Sequence, residues 1–258
     1  MANFLRRILL PLSFISCLCA CAPRESQPWR GILAQYASDE SVRELLLVES
    51  LGGSEATVRY YTRSGSEAGL TGQAAARLPG GDDSEAATRQ EVPGRTGKPV
   101  RHLIRCRRVW NLDTEGSAFI GKNGLGNTSE GDAKTPEGDF GVLTAFGILP
   151  DPGTALPWLP VGESTFACDE EGPWYNRIID TVATHHPCKG EDMFHTAPEY
   201  NYGLALDFNP DCRYPDGSAI FFHCKGHKAY TGGCIAVDEA FMRHILTSAH
   251  PGLRVIIH

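Results

Sequence analysis

Short apolar runs separated by turn-forming residues make up much of this chain. Residues 44–48 and 57–61 are rich in Leu, Val and Tyr, and Gly52-Gly53-Ser54 stands between them. Two strand-sized runs joined by glycines predict a β-hairpin. In residues 202–208 bulky apolar side chains occupy alternate positions, which is typical of a strand with one covered face. Further strands are predicted at residues 102–106, 118–120, 140–148, 219–223 and 253–257.

One segment has helical rather than strand periodicity. Phe241, Ile245 and Leu246 fall on one side of a helix over residues 239–246, and Asp238 stands at its N-cap position. Many short strands with turn signals and one late helix predict a mainly β fold. We expect a β-sandwich or barrel with one or two short helices.

The first residues carry a predicted export signal. Arg6 and Arg7 precede an apolar run over residues 8–18, which is too short to span a bilayer comfortably. The following Leu18-Cys19-Ala20-Cys21 resembles the bacterial lipobox, in which the last cysteine is diacylated and becomes the new N-terminus. We therefore predict a lipoprotein signal peptide over residues 1–20 and lipidation of Cys21. An ordinary signal peptide cut nearby is the alternative.

The rest of the chain divides into a tether and one domain. Residues 21–42 contain prolines and scattered polar groups and are predicted to form a tether. Residues 43–258 are expected to form the domain, with a flexible insertion at about 63–100 that lacks an apolar period. A lipid anchor would hold this domain on a membrane surface in the periplasm. Ala22 is not the Asp that marks inner-membrane retention, so the outer membrane is the expected address.

Charge excludes one class of partner. The formal net charge is −7, and removal of the predicted signal leaves 22 basic and 31 acidic residues. An acidic chain lacks the basic footprint that nucleic-acid binding requires, so no nucleic-acid partner is expected.

Nine cysteines call for separate interpretations, because export would place the chain where disulfides can form. Cys168–Cys188 and Cys212–Cys224 are the pairs suggested by proximity in the sequence, although spacing alone leaves the connectivity open. Cys234 belongs either to such a bridge, for example with Cys224, or to an active site.

The active-site interpretation of Cys234 starts from its surroundings. Gly232 and Gly233 precede it and allow a tight turn that presents the sulfur, and His223 ends an apolar strand eleven residues earlier. A thiol and an imidazole within hydrogen-bond reach can form a thiolate–imidazolium pair, the activated nucleophile of cysteine acyl transfer. Backbone N–H groups of the glycine turn are expected to stabilise the oxyanion.

These residues resemble the L,D-transpeptidase (YkuD-like) catalytic domain. Its signature is a histidine on a strand, a spacer, and Ser/Thr-His-Gly-Cys, and here His223 and Thr231-Gly232-Gly233-Cys234 occupy those places. Residues 121–126 and 130–138, which include Lys134-Thr135-Pro136-Glu137-Gly138, match the substrate-side segment of that family. The chain departs from the pattern at Gly232, where many members have a second histidine, and at Cys224, where many have glycine.

The resemblance implies a peptidoglycan L,D-transpeptidase that acts through a Cys234 thioester, with His223 as base and no cofactor or metal. The donor would be a stem tetrapeptide, and the acceptor a neighbouring stem amine or a lysine of an envelope protein. Water as acceptor would make the site a carboxypeptidase or amidase. Thr231 is expected to orient the turn or contact substrate, and Trp174 and Tyr175, in the irregular residues 149–200, to line the groove.

Two other readings stay open at this stage. One is a non-catalytic, envelope-binding lipoprotein on a related fold. The other is a metal site, because His223-x-x-x-His227 resembles zinc spacing, although Lys225-Gly226 interrupts any helix that would bring the two rings together. Further possible ligands are His185, His186, Cys188 and His195.

Overall fold

The structure is a computed structural model that describes residues 29–63, 109–126 and 129–258. The predicted signal peptide over 1–20, the lipidation site Cys21, the insertion from residue 64 onward and the strand at 102–106 lie outside the described residues. These predictions therefore stay predictions.

The described residues form a mainly β structure with few helices, as predicted. The helices are α1 (Trp29–Gln35), α2 (Thr181–Thr184) and α3 (Glu239–Ser248), with a 3₁₀ turn at Glu199–Asn201. The strands are β1 (Glu44–Gly52), β2 (Glu55–Arg63), β3 (Trp110–Phe119), β4 (Gly138–Gly147), β5 (Trp158–Pro160), β6 (Thr165–Cys168), β7 (Arg177–Asp180), β8 (Glu191–Asp192), β9 (Gly203–Leu206), β10 (Phe221–Cys224), β11 (Ile235–Val237) and β12 (Arg254–Ile257).

The large sheet closes into a barrel. Its strands follow the order β12-β1-β2-β3-β11-β10-β9-β4-β5, and β4 also pairs with β12. Closure is possible because β4 is long. Its first half pairs with β12 and its second half with β5, while its other edge pairs with β9. The strands of the closed ring therefore have no open edge, whereas β5 pairs with β4 outside the ring.

Side chains alternate between the two faces of each strand, so one set of them points into the barrel. Phe222 and Cys224 of β10 and Ile235 and Val237 of β11 are buried in the central core. The intervening side chains, among them His223, point to the outer side of the same strands. The core residues and the candidate catalytic histidine therefore lie on opposite faces of these strands.

The predicted elements are largely confirmed, with shifted ends. β1 and β2 form the predicted antiparallel hairpin around Gly52 and Gly53. α3 buries Met242, Ile245 and Leu246 in the central core. Asp238 occupies the N-cap position without a side-chain cap hydrogen bond, because its carboxylate pairs with Lys225 at 3.3 Å.

The segment between β4 and β9 covers the outside of the barrel. It contains a small sheet in the order β7-β6-β8. A disulfide joins Cys168 at the end of β6 to Cys188 just before β8, which confirms one predicted pair. The other pair is wrong, since Cys212 and Cys224 are both free thiols. Cys224 points into the barrel core, where its Sγ lies 3.5 Å from the Tyr202 carbonyl oxygen, whereas Cys212 lies on a turn.

Part of the predicted tether is folded onto the barrel. Trp29 at the start of α1 is 3 % exposed and packs in a second core with Leu45, Leu47 and Trp110. Arg63 reinforces this attachment by donating to backbone carbonyls of the segment after α1. Apolar side chains of residues 29–42 therefore cover the outer face of β1, and this part of the predicted tether packs with the domain.

No helix in the described part of the chain is long and apolar enough to cross a membrane.

Candidate active site

Two neighbouring parallel strands bring the cysteine and the histidine together. In the pairing of β10 with β11, His223 lies opposite Ala236. Cys234 immediately precedes β11, and its Sγ accepts a hydrogen bond from the Phe221 N–H at 3.3 Å. Because side chains alternate along strands, Cys234 and His223 face the same side of the sheet. Both line one cavity of about 610 Å³.

Two threonines hold the loop that presents Cys234. The Thr231 hydroxyl donates to the Cys234 carbonyl at 2.7 Å and accepts from the Gly233 N–H at 3.1 Å. The buried Thr135 hydroxyl donates to the same carbonyl at 3.3 Å and accepts from the Gly121 N–H at 2.8 Å. Thr231 also lines the cavity, so its predicted contact with substrate stays a prediction, but its hydroxyl proton is engaged inside the loop.

The two glycines before Cys234 have different roles. Gly233 has a φ of +152°, and a Cβ there would lie 2.9 Å from the Lys134 carbonyl oxygen and 3.1 Å from Ile220 Cδ1. A Cβ at Gly232 would meet nothing within 4 Å. Gly233 thus occupies a position in the loop where a side chain would clash, and its N–H already donates to the Thr231 hydroxyl, so it is not free to stabilise an oxyanion.

His223 is held in one orientation. Its Nδ1 lies 2.7 Å from the Cys224 carbonyl oxygen. A carbonyl can only accept, so Nδ1 carries the proton and Nε2 of the neutral ring keeps its lone pair. The Tyr200 ring packs edge-on against the imidazole at a centroid distance of 5.3 Å. The arrangement presents a neutral imidazole whose Nε2 can act as a base.

Burial keeps both members of the pair uncharged. Desolvation raises the pKa of the Cys234 thiol, and the negative charge of Glu191 raises it further. Desolvation lowers the pKa of His223 from its ordinary value of 6.5, against smaller opposing effects of the Cys224 carbonyl and Glu199. At neutral pH these shifts favour a neutral thiol and a neutral imidazole over the predicted thiolate–imidazolium pair. In this state the Cys234 S–H donates to the Ala219 carbonyl at 3.3 Å.

The cavity around Cys234 is acidic. Four carboxylates and two ammonium groups line it among the described residues: Glu130, Asp169, Glu191, Glu199, Lys189 and Lys228. Burial raises the pKa of Asp169 and of Glu191, and the negative charges of neighbouring carboxylates raise each pKa further. The cavity therefore favours ligands that carry a positive charge.

The two predicted aromatic site residues lie outside the lining of this cavity. Tyr175 is 1 % exposed, and its hydroxyl donates to Glu130 at 2.6 Å, so it orients a carboxylate that does line the cavity. Trp174 packs against the disulfide of β6 and lines a neighbouring cavity of about 510 Å³. Direct contact of either ring with a substrate on Cys234 is not supported by these positions.

Three residues of the site escaped the sequence analysis as functional residues. Thr135 was part of the matched segment, but nothing in its spacing pointed to the Cys234 carbonyl. Tyr200 and Glu191 come from the irregular segment, and the Tyr200 hydroxyl donates to Glu191 at 2.6 Å. The aromatic cluster around residue 200 was a usable signal for Tyr200, whereas a single glutamate between charged neighbours carries none.

The geometry of the described residues does not support the alternative of a metal site. Among the described residues, no group of three or more His, Cys, Asp or Glu side chains is placed to hold a metal ion. The Cys188 sulfur is bonded to Cys168, and the His195 Nδ1 faces Asp192 at 2.9 Å. The reactive groups of the candidate site are therefore a thiol, an imidazole and carboxylates.

Neither a comparison with protein-family models nor a search of curated proteins finds a match for this chain.

Proposed function

We propose that the protein is a peptidoglycan L,D-transpeptidase that works through an acyl thioester on Cys234. The observation that carries the proposal is the pairing of β10 with β11, which sets Cys234 and His223 on one face above one cavity. The sequence resemblance supplies the substrate, a stem tetrapeptide. The orientation of the His223 ring by the Cys224 carbonyl adds support, because it leaves Nε2 as the proton acceptor.

In the first half-reaction the thiol proton passes to His223 Nε2 as the sulfur attacks the carbonyl carbon of the third stem residue. Since both groups start uncharged, we expect proton transfer and attack to be coupled. The backbone N–H groups of Cys234 and Gly232 are the proposed oxyanion donors, in place of the engaged N–H of Gly233. The bond to D-alanine breaks, and His223 returns its proton to the leaving amine.

In the second half-reaction an amine takes the acyl group from sulfur. The acidic lining of the cavity supports an acceptor that arrives as an ammonium group, whether from a neighbouring stem or from a protein lysine. A cell-wall substrate also requires export, so we propose that the domain works in the periplasm. By resemblance, a lipid on Cys21 would attach it to the outer membrane.

The test is direct observation of the acyl-enzyme. The protein is incubated with a purified disaccharide tetrapeptide, and its intact mass is measured together with the muropeptide products. We expect an adduct equal to the substrate minus D-alanine, followed by crosslinked dimer when an acceptor stem is present. Cys234→Ala should abolish the adduct, whereas Cys212→Ala, which removes a free thiol elsewhere, should leave it unchanged.

The other outcomes separate the alternatives. An adduct that yields only free tripeptide means hydrolysis, so that the protein is a carboxypeptidase of the same bond. No adduct and no loss of D-alanine would overturn the enzymatic proposal and favour the envelope-binding protein.

A further inference from the structure

We infer that Glu191 is the base that deprotonates the acceptor ammonium group in the second half-reaction. The inference rests on the proposed function and deepens it, since it concerns the amine that attacks the Cys234 thioester. Glu191 lines the same cavity as Cys234 and His223.

The need for a second base follows from the proton balance. A lysine-like amine has a pKa of about 10.4, so at pH 7 roughly one molecule in 10³ is uncharged and able to attack. The ammonium group has three protons: one must leave before attack, one must reach the departing sulfur, and one stays on the new amide. His223 can take the second proton after attack and deliver it to the sulfur as the carbon–sulfur bond breaks. The first proton needs another acceptor, which then releases it to solvent.

Glu191 differs from the other carboxylates of the cavity. Glu130 accepts hydrogen bonds on its Oε2 from the hydroxyls of Tyr175 and Ser218, at 2.6 and 2.7 Å, and its charge is not among those that act on the Cys234 sulfur. Glu199 lies against Gly226, and its charge acts on His223. Glu191 is the carboxylate whose charge acts on the Cys234 sulfur, among the described residues.

The surroundings of Glu191 suit proton transfer. Its Oε2 accepts from the Tyr200 hydroxyl at 2.6 Å, and in the described part of the chain no hydrogen bond or ion pair engages Oε1. Burial raises the pKa of Glu191, and the charges of Asp169 and Glu199 raise it further, against the opposing effect of the Tyr200 hydrogen bond. A carboxylate with a raised pKa is a stronger base toward an ammonium ion than an ordinary one.

Tyr200 is the corresponding positioning residue. It is 2 % exposed, its ring packs edge-on against His223, and its hydroxyl holds Glu191. The pairing of Glu191 with Ala167 of β6 fixes the backbone on the other side. One aromatic side chain thus sets the orientation of the base of each half-reaction.

The experiment measures the two half-reactions separately in the full protein. Acylation is followed as D-alanine release, and transfer as decay of the intact-mass adduct with a lysine-type amine as acceptor. For Glu191→Gln we expect acylation within about threefold of the parent and transfer slower by at least tenfold, because a general base typically contributes 10²–10⁴-fold. With hydroxylamine, an acceptor that is uncharged at neutral pH, transfer should return to the parent rate.

Further variants make the outcome decisive. Asp169→Asn removes the same charge from the same cavity, and an equal loss of transfer there would show that only electrostatic attraction is at work. Tyr200→Phe should slow transfer to the charged amine in the same direction as Glu191→Gln, and Glu191→Asp should retain part of the rate.

Transfer unchanged in Glu191→Gln, or a loss that hydroxylamine does not restore, would overturn the assignment while the proposed function stands. If the parent forms no acyl-enzyme at all, the proposed function and this assignment both fall.

Discussion

Replacing Gly233 and Gly232 one at a time by alanine tests how the loop presents Cys234. At Gly233 the φ of +152° lies in a region that is essentially restricted to glycine, which costs a side chain about 1–3 kcal/mol. The new Cβ would also lie 2.9 Å from the Lys134 carbonyl oxygen, and a backbone oxygen cannot move aside cheaply. Overpacking of this kind adds about 1–3 kcal/mol, and the stiffer unfolded chain returns about 0.4–1 kcal/mol.

We therefore expect Gly233→Ala to lower the free energy of unfolding by about 2–4 kcal/mol and to slow acylation, since the Thr231 and Cys234 backbone must shift. Gly232→Ala is the matched control, because its Cβ meets nothing within 4 Å. Its free energy of unfolding should stay within about 0.5 kcal/mol of the parent or rise slightly. Urea unfolding gives the free energies, and D-alanine release gives the acylation rate. Equal free energies for the two variants would refute the account of the loop.

Three further predictions address the base, the disulfide and the buried threonine. Because burial lowers the pKa of His223, the rate constant of acylation should stay level at high pH and fall only as the pH drops through a value below 6.5. A fall that already begins above pH 6.5 in the pH profile of D-alanine release would contradict this prediction. Reduction of the Cys168–Cys188 disulfide, which closes a loop of 20 residues, should lower the free energy of unfolding by about 3 kcal/mol. Thermal unfolding with and without reductant measures this loss. A Cys168→Ala/Cys188→Ala variant should behave like the reduced protein, not the oxidised one. Thr135→Val should lower the free energy of unfolding by about 1–3 kcal/mol, because it leaves the buried Gly121 N–H without its acceptor. Thr135→Ser keeps the hydroxyl and should retain the hydrogen bond. Equal losses for the two variants in urea unfolding would argue against the hydrogen bond.

The elements that could be predicted from the sequence are those whose pattern of apolar residues matches the face that they bury. β1, β2 and β12 have continuous or alternating apolar residues, and α3 has a clear apolar side, so local pattern and final structure agree. Most of β3 was missed, because its exposed polar residues between Trp110 and Ala118 give no strand signal. Its conformation comes from pairing with β2 along nearly its whole length.

Residue identity pointed to Cys234 and His223, but their protonation state depends on tertiary burial. A sequence displays a thiol and an imidazole, whereas the desolvation that keeps both neutral is supplied by Tyr200, Phe221 and the segment that covers the barrel. Glu191 reaches the cavity only through the pairing of β8 with β6, a contact between two very short strands. Such contacts have no local pattern from which they could be predicted.

The seam between β1 and β12 has a consequence for how the molecule reaches its folded state. Leu46 pairs with Val255, more than 200 residues later, and β12 also supplies the partner of β4. Closing so long a loop is entropically slow, so the ring of strands completes late in folding. A ribosome must therefore synthesise nearly all of this sequence before the final seam can form. Until residues 254–257 have been made, the emerging polypeptide cannot close its barrel.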